Sequence, residues 1–271
     1  MHENLDKDGL RSKYNDYDLF FIDIWGVIHN GVSIFTDAVN VLESLKKNIK
    51  EFILLTNAPR PNLTVVKFLQ NLGLKDFYEN VYTSGEASLK YLIENYQNSK
   101  FFHIGPPRDF DLFKEFQQNK MANIEEAEYF ICTGLFEEYE TNLDYYKELL
   151  TKFINKKLIC TNPDLIVDRG EVREFCAGSV AKIFEEIGGE VIYFGKPHPP
   201  VYNLAATTKN KKILCIGDNM NTDIKGANVQ NYDSLLITNG IHRQEIENIK
   251  TIGLEKKYAV EVDYIQTNLK W

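Results

Sequence analysis

The chain has 271 residues, 44% of them apolar and 26% charged, with a formal net charge of −8, a balance that fits a globular chain of one or two domains. A pI near 5.3 and the lack of any long Lys/Arg cluster exclude a nucleic-acid binder held by a basic surface, and no apolar run reaches the roughly 18 residues of a membrane span. The amino-terminal stretch MHENLDKDGLRSK contains no apolar core of the signal-peptide kind, so a cytoplasmic location is expected.

From residue 19 onward, short apolar runs alternate with helical periodicity. Strands over residues 19–24, 52–55 and 81–83 are separated by helices over residues 36–47 and 62–72. The second helix carries Val66, Leu69 and Leu72 at helical spacing and is closed by Gly73. Such a βαβαβ series predicts a parallel sheet with helices on both faces. A helix from Gly85 to about Asn95 leads into a second series, with segments at residues 101–104, 110–119, 128–132, 143–153 and 158–160. A short hairpin around Arg169-Gly170 and a helix over residues 180–187 follow. The first sheet is then expected to resume with residues 191–194, 212–216 and 234–237. The stretch after Gly253 reads as a last strand and helix and carries no motif. Cys132, Cys160, Cys176 and Cys215 show no CxxC or zinc-type spacing and read as reduced core residues; Cys176, just before a helix, is the one with a position worth testing.

Four of these strands end in residues suited to chemistry. FFIDIWGVIHNG delivers Asp23 where an apolar strand gives way to Gly26, and functional groups of open α/β sheets collect at such carboxyl ends. The plainer reading of Asp23 alone is a turn cap. IGDNMNTDIKGA repeats the pattern with Asp218 and Asp223, so that a hard divalent cation with oxygen ligands becomes plausible, Asp23 and Asp218 fitting that role. EFILLTNAPR ends in Thr56 and Asn57, a hydroxyl and an amide suited to phosphate oxygens or to capping the next helix, and YFGKPHPPVY ends in Lys196. Asp223 also fits a helix N-terminus with Thr222 as cap.

Taken in order, Asp, Thr-Asn, Lys-Pro, and Gly-Asp with a further Asp, the stretches resemble the haloacid dehalogenase superfamily. The wording TNAPRP, TSGEAS, TNPD, CAGSVA, GKPHPPVY and GDNMNTDI is similar to its class IIA branch, the NagD-like and p-nitrophenyl-phosphatase-like hydrolases, from about Gly9 to Ile241. The resemblance implies a Rossmann-like, doubly wound parallel-sheet core, residues 1–85 and 189–271, interrupted by a large α/β cap, residues 86–188. It implies Asp23 as the nucleophile that becomes an aspartyl phosphate. Mg²⁺ would be held by Asp23, Asp218 and the backbone carbonyl of Trp25, with Asp223 in the outer shell. Thr56 and the amide hydrogens around Asn57 and Ala58 would bind the transferring phosphoryl oxygens, and Lys196 would neutralise charge and keep Asp23 ionised. Arg60 would reach the rest of the substrate, unless it is simply a surface residue. From the cap, Asn162, Asp164, Arg169 and Arg173 are the first candidates to touch the substrate, a solvated polar rim being the plainer reading, and the aromatic-rich insert is a candidate homodimer surface.

The departure from pattern is Trp25, which stands where most phosphatases of the superfamily place a second aspartate as general acid. Indole has no proton to shuttle. The DxWGVxHxG wording looks like a subgroup trait. Three explanations stay open: a leaving group that departs unprotonated, such as an acyl phosphate, a phenol or a diphosphate; proton supply by His29, whose ordinary pKa suits the task; or a slowly hydrolysed aspartyl phosphate. The expectation is therefore a Mg²⁺-dependent phosphatase acting on a small phosphorylated metabolite. Its alternatives are a weakly catalytic phosphate-ligand sensor or a phosphotransferase.

Overall fold

The computed structural model describes residues 2–77, 80–206 and 209–271. Its strands are β1 (Glu3–Asn4), β2 (Leu19–Ile22), β3 (Glu51–Thr56), β4 (Val81–Thr83), β5 (Phe101–Ile104), β6 (Tyr129–Cys132), β7 (Lys157–Cys160), β8 (Ile166–Arg169), β9 (Val172–Phe175), β10 (Glu190–Tyr193), β11 (Ile213–Gly217), β12 (Asp233–Ile237) and β13 (Tyr264–Gln266). Between them run α1 (Thr36–Lys47), α2 (Asn62–Asn71), α3 (Ser84–Tyr96), α4 (Leu143–Leu150), α5 (Ala177–Glu186), α6 (Pro199–Ala205), α7 (Lys225–Gln230) and α8 (Arg243–Tyr258). Seven strands form one sheet in the order β1-β13-β12-β11-β2-β3-β4, and four form a second in the order β10-β7-β6-β5. Every pairing within these two sheets is parallel, while β8 and β9 make a separate antiparallel hairpin. The chain is thus α/β, with a doubly wound parallel sheet and a second α/β layer.

All four residues of β2 are buried, because the strand has helices on both faces and side chains alternate between them. Phe20 and Ile22 pack with α1 and α2 residues such as Val41, Leu45 and Leu69. Leu19 and Phe21 face the opposite cluster, which holds Leu92 and Tyr202 and continues into Phe101, Tyr129 and Ile159 of the second sheet. This shared apolar cluster fastens the two sheets together. The far face of the second sheet is covered by α4 and α5, with Phe130, Leu158, Tyr146 and Phe184 in its core.

Register decides what the strands deliver. Ile22 lies opposite both Ile216 and Leu54, so Asp23, Thr56 and Asp218 emerge together at one edge of the sheet, the carboxyl end.

Several expectations need correction. Residues 191–194 do not resume the first sheet: Glu190–Tyr193 pairs with β7 at the border of the second. The run at residues 110–119 lies inside 3₁₀ turns spanning Pro107–Asn119. The chain after Gly253 is already in α8, and the last strand, β13, comes after the last helix rather than before it. β2 ends at Ile22 rather than at residue 24, although the Asp23 amide still donates to the Ile216 carbonyl of β11 at 2.8 Å. No helix among the described residues is long and apolar enough to cross a membrane.

Candidate active site

Asp23, Lys196, Asp218 and Asp223 are each less than a tenth exposed. The Lys196 ammonium donates to Asp23 Oδ1 and, at 2.7 Å, to Asp223 Oδ1. Asp218 is held from the other side by the Ile241 amide, 2.8 Å from its Oδ2, and the Asn219 amide reaches Asp223 Oδ2 at 3.1 Å. Asp223 sits within a π-helical turn, Met220–Ile224, capped by the Asn219 side chain rather than by Thr222. Asp223 does stand in the first turn of a helix, with Asn219 and not Thr222 as its cap, and it also makes a buried ion pair. Gly26 makes the assembly possible: its φ of +84° is left-handed, and a Cβ there would stand 2.2 Å from Asp218 Oδ2, a position only glycine tolerates.

Burial works against the Lys196 ammonium, but the carboxylates of Asp223, Asp23 and Asp164 outweigh it and hold its pKa above the ordinary lysine value. Burial pushes Asp23 up, Lys196 pulls it down, and Asp223 and Asp218 push it up again, leaving it well above the ordinary carboxylate value. Asp218 is pushed up to about 8 by burial and by Asp223, against the Ile241 hydrogen bond and Lys196. We take the pair as lysine-charged, because a cation surrounded by several carboxylates keeps its proton. One ammonium against this much buried carboxylate leaves negative charge to be met by a further cation. Oxygen atoms of Asp23, Asp218 and Asp223 all lie within 4.8 Å of one another, and an all-oxygen donor set of this kind suits a hard cation such as Mg²⁺.

The Asn57 side chain is fully used. Its Oδ1 accepts from the Lys196 amide at 2.7 Å, and its Nδ2 donates to the Lys196 carbonyl at 3.0 Å and to Asp164 Oδ1 at 3.2 Å. Asn57 thus aims the loop that carries the lysine. The Ala58 amide is 3.2 Å from Thr56 Oγ1, so the second loop folds tightly over its own hydroxyl. Arg60 is ion-paired with buried Asp109 at 2.7 Å, a link between the first sheet's loops and the Pro107–Asn119 turns.

His29 is 1% exposed, and its Nδ1 accepts from the Gly31 amide at 2.8 Å. Burial, with Arg169 nearby, pushes its pKa down to about 4. At neutral pH it is a neutral ring, so the acid role expected of it has no imidazolium to draw on. Trp25 stacks parallel to Phe68, with ring centroids 6.5 Å apart, and its Nε1 donates to the Asp168 carbonyl at 2.8 Å.

These groups line a cavity of about 610 Å³. Asn162, Asp164, Arg169 and Arg173 all reach its wall. Burial pushes Asp164 up to about 6, Lys196 opposing and Asp223 adding to the shift. Sequence reasoning missed Asp109, Asp168, Gly240, Ile241 and Arg243, which also line it. The TNG turn after an apolar strand was the available signal for Gly240; nothing local marks the others. Cys176 reaches the cavity as well, but burial and the neighbouring Asp164 and Glu174 push its thiol well up, away from a reactive thiolate.

Comparison with known proteins agrees with this geometry. A family model described as haloacid dehalogenase-like hydrolase matches residues 20–118, and one described as HAD-hydrolase-like matches residues 193–269. The crystal structure of a hydrolase of the haloacid dehalogenase-like family from Brucella suis 1330 is 31% identical, with a TM-score of 0.81 over 96% of this chain and 98% of that one. A dihydroxyacetone phosphatase from Corynebacterium glutamicum (strain R) is 26% identical over 239 residues, 82% of this chain and 81% of the relative. A glycerol phosphate phosphatase from Mycobacterium tuberculosis, solved in complex with magnesium, is 22% identical with a TM-score of 0.64, covering 84% of this chain and 70% of that one.

Proposed function

The chain belongs to the haloacid dehalogenase-like hydrolases, and we propose that within this family it is a Mg²⁺-dependent phosphatase that hydrolyses a small phosphorylated metabolite through an aspartyl phosphate on Asp23. The observation that carries this reading is the Lys196 ammonium buried between the Asp23 and Asp223 carboxylates at the wall of the cavity. Phosphoryl transfer asks a protein mainly for positioning and charge neutralisation, and that is what this cluster offers. The phosphatases named among the relatives, for dihydroxyacetone phosphate and glycerol phosphate, support a small substrate.

In this mechanism an Asp23 carboxylate oxygen attacks phosphorus while the bond to the leaving oxygen breaks. Lys196 favours the Asp23 carboxylate against its burial, and a bound cation would add to this; Lys196, the Thr56 hydroxyl and the amides around Asn57 and Ala58 would meet charge on the phosphoryl oxygens. Asp23, Asp218 and the Trp25 carbonyl would hold Mg²⁺, with Asp223 behind them, and the ion would supply further charge neutralisation. Water then cleaves the aspartyl phosphate, releasing inorganic phosphate and restoring Asp23. Because Trp25 and neutral His29 offer no acid, leaving groups that depart without a proton should turn over fastest. The sensor reading draws only on Trp25 and has no support from the ion cluster, which a simple binder has little need to bury; a phosphotransferase would use the same cluster, and the phosphatases among the relatives favour water as the acceptor.

The test is phosphate release from p-nitrophenyl phosphate and a panel of metabolite phosphates, with and without Mg²⁺, for wild type and Asp23→Asn. Turnover that needs Mg²⁺ and falls at least ~10⁴-fold in the variant is expected, in line with losses on removing a nucleophile. Wild-type rates equal to the variant's on every substrate would overturn the reading.

A further inference from the structure

The β8–β9 hairpin belongs to neither large sheet. Every β8 residue is partly or fully exposed, and three of the four in β9 are exposed. A two-stranded ribbon of this kind is marginal by itself in water, so its position depends on what it is tied to. Its own cross-strand ties are Arg173 to Asp168, at 2.8 and 3.2 Å, and Arg169 to Glu174, at 2.9 Å.

Further ties run to the loop after β2, which bears Asp23, and to the segment after β12, whose Ile241 amide holds Asp218. From the loop after β2, Trp25 Nε1 donates to the Asp168 carbonyl at 2.8 Å and the Asn30 carbonyl accepts from the Gly170 amide at 3.0 Å. The Arg169 guanidinium lies 5.1 Å over the Trp25 ring, within range of a cation–π contact. From the loop after β12, Arg243 Nη1 donates to Asp168 Oδ2 at 2.6 Å, and the Ile241 carbonyl accepts from Arg173 Nη2 at 3.2 Å. Asp168 is therefore the hub: its carbonyl takes the indole and its carboxylate takes two arginines. Trp25 is rigid enough to serve as an anchor, being stacked on Phe68, edge-on to His29 at 4.9 Å and seated against Gly31, where a Cβ would stand 2.6 Å from its ring.

We infer that Trp25 and Arg243 are positioning residues that pin the β8–β9 hairpin across the phosphate cavity, so that this fixed strap limits the size of leaving group the site admits. The inference rests on the phosphatase reading for its substrate consequence. It also accounts for the residue found at position 25. An ionised aspartate there has no hydrogen to give a carbonyl; indole Nε1–H does, and so this position serves to hold the hairpin.

The test uses the full-length protein and two readouts. Without any substrate, amide hydrogen exchange across residues 166–175 is compared in wild type, Trp25→Phe and Arg243→Met. Trp25→Phe keeps an aromatic ring and loses the donor. Exchange in the hairpin should rise about fivefold or more in each variant, since a hydrogen bond worth ~1 kcal/mol is lost, while β2 and β11 stay protected. In turnover, Arg243→Met should raise KM for dihydroxyacetone phosphate about fivefold with a smaller change in kcat. KM for the bulkier p-nitrophenyl phosphate should hold or fall, and Arg243→Lys should restore part of the difference. Hairpin exchange equal to wild type in both variants, or KM values for the two substrates moving together, would overturn the inference. Should wild type turn over neither ester, the phosphatase reading fails, and the exchange experiment still decides whether the hairpin is pinned.

Discussion

Lys196 carries the heaviest electrostatic duty of any single residue. It is 4% exposed and serves two carboxylates, so removing it strands both in a low-dielectric site. Breaking a buried pair on one side costs about 3–5 kcal/mol. Lys196→Met should therefore abolish turnover and also lower the urea midpoint by that much in free energy; an unchanged midpoint would show that the carboxylates were never compensated by the lysine. Gly26 makes a second case. With φ at +84° and Asp218 Oδ2 only 2.2 Å from a built Cβ, Gly26→Ala pays in backbone strain of about 1–3 kcal/mol and must push Asp218 aside. Activity should drop at least ~10-fold, as a misplaced group of this kind does, which a rate assay beside a melting curve would separate from unfolding. Asp23 and Asp218 could be named from the sequence because each follows an apolar strand directly, and Lys196 because it stands a few residues past another, before Pro197. Asp168 and Arg243 could not, since their meaning lies in a pairing across 75 residues of chain that no local pattern encodes.

Elements were legible where helices separated them and illegible where only pairing could decide. α1 and α2 follow from their apolar spacing, and the buried β2 from its unbroken apolar run. β10 has three half-buried residues and no pattern that distinguishes one parallel sheet from another, so sequence assigned it to the wrong one. β1 and β13 are two and three residues long and pair with each other from opposite ends of the chain, beyond any local signal. At this scale β5 carries a prediction of its own. His103 is 5% exposed on that strand, with Nε2 2.8 Å from Thr133 Oγ1, the Phe113 ring 4.7 Å away, and Lys120 acting on its charge. Burial first and Lys120 second push its pKa down to about 3 from the ordinary 6.5. The folded state thus binds fewer protons than the unfolded one between these values, and the stability His103 contributes is complete above about pH 6.5 and is lost as pH falls toward 3. The limit is on the order of 4 kcal/mol. Urea unfolding at pH 7 and pH 5 should show the loss, and His103→Gln should shrink it; an equal pH slope in the variant would assign the acid lability elsewhere.

On the scale of the whole molecule, the active site is made by two sheets meeting. The first sheet supplies Asp23, Thr56 and Asp218 from its carboxyl edge, and Lys196 comes from the loop after β10 of the second sheet. The second closes over them through Asp109 on Arg60, Asp164 on Asn57, and the hairpin on Trp25 and Arg243. Folding therefore gathers Asp23, Asp218 and Asp223 from chain positions 200 residues apart into a buried set whose oxygens lie within 4.8 Å of one another, and their mutual repulsion weighs against the native state. An ion that binds only the assembled set must then stabilise the entire fold. Saturating Mg²⁺ at about 100 times its Kd adds ~2.7 kcal/mol, which for a chain of this size corresponds to a rise in Tm of roughly 5–10 °C. Chelation should reverse the shift, and Ca²⁺ or Na⁺ at equal ionic strength separates ion identity from simple screening. Asp218→Asn should remove most of the response to Mg²⁺ while raising the Tm of the ion-free protein at neutral pH, because Asp218, pushed up to about 8 by burial and Asp223, must take up a proton on folding and Asn need not. A Mg²⁺ shift of full size in Asp218→Asn would place the ion elsewhere in the molecule and leave the buried carboxylates to Lys196 alone.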